Sequence, residues 1–140
     1  MIALLLLMLA QNAPSSETTG RVFPAKQLTC TVTTPDSATF TVTVMENNGV
    51  ARVKSTREEL FPSGVFVVAP AYISRSEGGK PVDYRVSISG DRPTGQYSIG
   101  MKVEGGVPVQ VWLRIMPPGP YRSDRSREIG SAQCTAEKNS

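Results

Sequence analysis

From Gly95 to Pro117, apolar and polar side chains alternate almost without a break on either side of a Gly105-Gly106 pair. A period of two belongs to a strand, because successive side chains leave a pleated backbone on opposite faces. The stretch therefore predicts a long hairpin. Tyr97, Ile99, Met101 and Val103 share one face, with Gln96, Ser98, Lys102 and Glu104 opposite. Past the turn, Val107, Val109, Val111, Leu113 and Ile115 continue the apolar face, while Gln110, Trp112 and Arg114 point outward.

The same period recurs upstream. Leu28, Cys30 and Val32 oppose Thr29, Thr31 and Thr33, and after a turn at Pro35-Asp36-Ser37 the residues Phe40, Val42 and Val44 oppose Thr39, Thr41 and Thr43. Exposed threonine suits a strand surface; two Thr-x-Thr runs are too few to predict a flat array for a crystalline ligand. Asn48-Gly49 predicts a tight hairpin into Val50–Ser55, since both residues tolerate positive φ. Between Ser55 and Pro62 the alternation fails. The spacing of Ser55 to Glu58 and of Thr56 to Glu59 suits a capping box, so one short helical turn near 56–61 is expected, placing Leu60 and Phe61 over an end of the sheet. Val65 to Ala69 is apolar throughout, which predicts a strand covered on both faces and ended by Pro70. Tyr84, Val86 and Ile88 alternate again, and Ala132 to Glu137 can form a last strand around Cys134.

Eleven prolines and twelve glycines sit mostly between these runs. About eight short strands at such spacings predict an all-β fold, either an antiparallel sandwich or a flattened barrel. Immunoglobulin-type marks are missing, because Trp112 lies far from Cys30 and no tyrosine sits two residues before Cys134.

The organisation expected is a signal peptide over 1–13, a flexible leader over 14–26 and a single β domain over 27–138. Met1–Ala10 is apolar and uncharged, too short to span a bilayer but long enough for the core of a signal peptide, with Ala10 and Ala13 as cleavage points. An ordinary strand is the other reading of that run. The two cysteines, Cys30 and Cys134, stand near the two ends of the β domain. They suit a disulfide clasp in an exported protein, against the alternative of two buried thiols. The expected location is therefore the periplasm or the cell exterior.

The chain has no histidine, so the usual general base near neutral pH and the commonest metal ligand are both missing. No protein-built metal site, cofactor or catalytic constellation is expected, and a net charge of +3 does not predict nucleic-acid binding. The candidate binding residues are Trp112 and Arg114 on the outer face of the hairpin, with Tyr121, Arg122, Arg125 and Arg127 in the loop that follows. An outward tryptophan supplies a large contact area at little entropic cost, and arginines grip anions; the loop around Tyr121 could equally cover the indole. The expected function is an exported, non-enzymatic binding module of the cell envelope, its partner another envelope protein or an anionic surface. Two alternatives stand beside it. One is a small-ligand carrier with a cavity between sheets lined by Tyr72, Tyr84 and Tyr97. The other is a hydrolase using a carboxylate pair such as Asp83 and Glu104.

Overall fold

The computed structural model describes residues 23–120 and 123–137. The apolar run Met1–Ala10, the remainder of the chain ahead of Phe23, and Tyr121 and Arg122 lie outside the described residues.

Nine strands follow one another: β1 (Gln27–Thr33), β2 (Thr39–Asn47), β3 (Val50–Ser55), β4 (Gly64–Val68), β5 (Tyr72–Glu77), β6 (Lys80–Arg92), β7 (Gly95–Glu104), β8 (Val107–Met116) and β9 (Arg127–Glu137). They pair in the order β4-β3-β2-β1-β9-β8-β7-β6-β5, and β4 also pairs with β6. That extra pairing, Val67 to Ser89 and Val68 to Ile88, closes an antiparallel ring of eight strands and leaves β5 outside it. Of the two architectures expected, the fold is the barrel.

Local chemistry sets the turns. Asn48 and Gly49 both take positive φ, 54° and 83°, which a two-residue turn needs to match the twist of β2 and β3. Strand β6 changes partner along its length. Its first half pairs with β5, and from Ile88 onward it pairs with β4, because β4 stops at Val68, two residues before Pro70.

The barrel has two mouths. One carries the β2–β3, β5–β6 and β7–β8 turns, the start of β1 and the end of β9. The other carries the 56–63 loop, the β6–β7 turn and the proline-rich segment after β8. Leu28, Val32, Val42, Val44, Ile88, Ile99, Met101, Val103 and Leu113 fill the interior between them, each essentially inaccessible to solvent. Phe61 stops the second mouth, stacked on Phe66 at 5.6 Å and edge-on to Tyr97 at 5.6 Å. The carbonyl of Arg57 accepts the N–H groups of Leu60 and Phe61 at 3.0 Å each, so the expected helical turn is one hydrogen-bonded turn without a helix. At the first mouth Phe23 and Ala25 are buried, and the carbonyl of Lys26 accepts the N–H of Glu46 at 3.3 Å.

Two apolar stretches face differently from the expectation. Val107 and Val109 are exposed, at 58% and 54%. Lys102 faces Gln110, but Val103 faces Pro108, so β8 carries an extra residue, Val109, in a bulge. A bulge shifts the side-chain phase by one, and every position before it changes face. On β4, Phe66 and Val68 point inward while Val65 and Val67 are open to solvent, so that strand is covered on one face only.

Cys30 and Cys134 are direct cross-strand partners on β1 and β9 and form a disulfide, 104 residues apart in sequence. The bridge ties the first strand of the barrel to the last. In the chain-entropy model a loop of that size stabilises the fold by about 4–5 kcal/mol. Such a bond is compatible with an extracellular or periplasmic location.

Candidate functional site

Trp112 stands on the outer wall of β8, with Gly100 of β7 and Ser131 of β9 as its cross-strand partners. The indole leans over β7. A β-carbon on Gly100 would come within 2.5 Å of Trp112 Cε2 and 2.6 Å of Nε1. Glycine is required at 100 because the aromatic ring takes the space of its side chain, and the ring is left half-buried. The cover that the indole finds is therefore a glycine backbone.

Around it the wall is low. Ser87 and Gly100 are neighbours in the row of Trp112, and the next row runs Val67, Ser89, Ser98, Arg114 and Glu128 across β4, β6, β7, β8 and β9. Serine and glycine thus form a shallow floor between exposed Val67 on one side and Trp112 with Arg114 on the other.

Arg114 is held in place, donating from Nε to Ser126 Oγ at 2.9 Å and from Nη2 to the Ser126 carbonyl at 3.3 Å. Arg125 sits at the end of a single turn of 3-10 helix, Ser123–Arg125. Its guanidinium donates to the carbonyls of Pro118 at 2.7 Å and Pro120 at 3.0 Å, so it pins the proline-rich segment against itself. Arg127, at the start of β9, is exposed. Among the described residues the hydrogen-bond acceptors of Arg114 and Arg125 are neutral oxygens, and Glu128 is the direct cross-strand partner of Arg114. The structure thus brings Trp112 and Arg114 together on the wall, and Arg125 and Arg127 follow at the second mouth. Tyr121 and Arg122 lie outside the described residues.

The three tyrosines do not line one cavity: Tyr72 and Tyr84 both border an open groove at the first mouth, and Tyr97 lies at the second. Tyr97 is buried against Phe61, its hydroxyl 2.8 Å from Thr94 Oγ1. Tyr84 is buried in the wall, and burial pushes its phenol up to about 12. Tyr72 is 72% exposed on β5.

Asp83 and Glu104 do share a depression, an open groove of about 750 Å³ at the first mouth, lined also by Tyr72, Arg75, Arg85 and Lys102. Asp83 accepts from Arg75 Nε at 2.6 Å, from Arg75 Nη2 at 3.3 Å and from the Gly105 N–H at 3.0 Å. The Arg75 hydrogen bond, then that of Gly105, holds its carboxyl below the ordinary value. Glu104 pairs with Lys102 at 3.1 Å. A glycosidase pair needs one carboxyl kept protonated and the other ionised, and the shift of Asp83 suits only the ionised role. Among the described residues no three His, Cys, Asp or Glu side chains are grouped to hold a metal ion.

This groove is invisible in the sequence pattern, because Tyr72, Arg85 and Lys102 come from three strands and meet only through cross-strand pairing. Comparison with protein-family models, curated proteins and solved structures finds no match.

Proposed function

We propose that this domain is an exported, non-enzymatic binding module that holds another protein of the cell envelope on the outer wall of its barrel. The observation that carries the reading is Trp112 laid over Gly100, beside an Arg114 fixed by Ser126 and a serine floor that ends at Val67. An aromatic ring with one face seated, next to a guanidinium held in position by Ser126, is the composition of an interface centre. Rigid strands supply both groups, so little conformational freedom is lost on contact. Export is supported by the disulfide and by the apolar run Met1–Ala10.

The test is capture of envelope proteins by the immobilised chain, compared with a Trp112→Ala, Arg127→Ala variant whose circular dichroism is unchanged. Arg127 is chosen because Arg125 holds its own loop. Capture should fall about tenfold or more in the variant; equal capture by the two proteins would overturn the reading. Recovery from cells with both cysteines as free thiols would overturn export.

A further inference from the structure

We propose that the groove at the first mouth is a binding site for an anionic sugar, with the ring face on Tyr72 and its carboxylate or sulfate on Arg85. The site lies on the same outer face as the Trp112 wall, one row nearer the first mouth, since Arg85, Lys102 and Gln110 precede or follow Ser87, Gly100 and Trp112 by two residues, and it uses none of the residues of that wall.

Cross-strand register builds the site. Tyr72 of β5 faces Arg85 of β6, Arg85 faces Lys102 of β7, and Lys102 faces Gln110 of β8. One row on the outer surface therefore presents a phenol ring, a guanidinium, an ammonium and an amide in sequence. Strand spacing puts neighbours in such a row about 5 Å apart, close to the length of one sugar ring. Tyr72 is the most exposed large apolar side chain among the described residues, although it sits beside a groove of about 750 Å³. A pyranose presents an apolar C–H face that packs on an aromatic ring while its substituents reach sideways to polar groups.

The charges are sorted in the same direction. Arg75 is shared between Asp83 and Glu77, at 2.6 Å to each, and Glu104 is paired with Lys102. Arg85 is exposed and forms no ion pair among the described residues. Its planar fork is the one cationic group of the groove left for a planar carboxylate or a sulfate. Asp83 does further work: with Ser74 Oγ bound to its carbonyl at 2.9 Å and its carboxylate on Arg75 and Gly105, it fixes β5 and the β7–β8 turn as the two sides of the groove.

Affinity electrophoresis of the full chain through gels containing polygalacturonate, dextran sulfate or neutral dextran tests the site. Retardation is expected in polygalacturonate or dextran sulfate, identifying carboxylate or sulfate as the group recognised, and none in neutral dextran. Arg85→Ala and Tyr72→Ala should each weaken it about tenfold, and Trp112→Ala should leave it unchanged. No retardation by either charged polymer, equal retardation by neutral dextran, or retardation that survives both groove substitutions would overturn the proposal. Loss of envelope-protein capture in the Trp112 variant with polymer binding intact would separate the two sites.

Discussion

Trp112 rests on Gly100: the indole occupies the volume into which any side chain at position 100 would project. The contact joins β7 to β8 on the outside of the barrel, where the neighbouring positions Ser87, Ser89 and Ser98 are small and polar.

Gly100→Ala should therefore lift the indole off the wall. Overpacking of this kind costs about 1–3 kcal/mol, and because the chain has one tryptophan its emission reports the ring directly. A red shift in fluorescence with a lower urea midpoint is expected. An unchanged emission maximum would show that the ring is not seated there.

The bond between Cys30 and Cys134 makes a second prediction. Reduction should lower the unfolding free energy by about 2–5 kcal/mol, measured by denaturant titration with and without reductant. Native protein should show no reactive thiol; two would refute the bridge.

Phe61 predicts a third outcome. It is wholly buried and contacts both Phe66 and Tyr97. Phe61→Ala removes the stopper of the second mouth and should cost about 3–5 kcal/mol. Glu58→Ala, on an exposed side chain of the same loop, should change stability by about 0.5 kcal/mol or less. Similar losses in the two variants would mean that loop conformation matters, and that burial of the ring does not.

The Arg75–Asp83 pair gives a pH dependence. Asp83 has a folded-state value below its ordinary one, so the stabilisation is present at neutral pH and above the unfolded carboxylate value near 4. It is lost as pH falls from there through the folded value. Carboxyl NMR should place Asp83 below 3.8, and Arg75→Ala should move it back upward. A titration unaffected by Arg75→Ala would rule out the pair as the cause.

Much of the barrel was legible because an inward face must be apolar and an outward one need not be. The alternations at Leu28–Val32, Phe40–Val44, Tyr84–Ile88 and Tyr97–Val103 all point inward as read. The failures have local causes. Val107-Pro108-Val109-Gln110-Val111 alternates without a gap in sequence, so nothing in it announces the extra residue that turns Val107 and Val109 outward. Val65 and Val67 look like core residues by type, and only the pairing of Val67 with Ser89 shows that β4 is a wall with one open face. Closure itself depends on that pairing between strands twenty residues apart, which no local pattern encodes. At the site, the outward direction of Trp112 and Arg114 followed from parity. The carbonyl partners of Arg125, and the row from Tyr72 to Gln110, required the strands to be in register.

Gln27 and Glu137 are direct partners on β1 and β9, so the chain enters and leaves the barrel side by side at its first mouth. Any tether joined to either end, whether to a surface, a neighbouring domain or a fusion, would pull from that mouth and orient the molecule like a lamp on a stalk. The groove of Tyr72 and Arg85 would then lie near the point of attachment. Arg127 and the proline-rich loop would form the distal tip, and the Trp112 wall would face sideways between them.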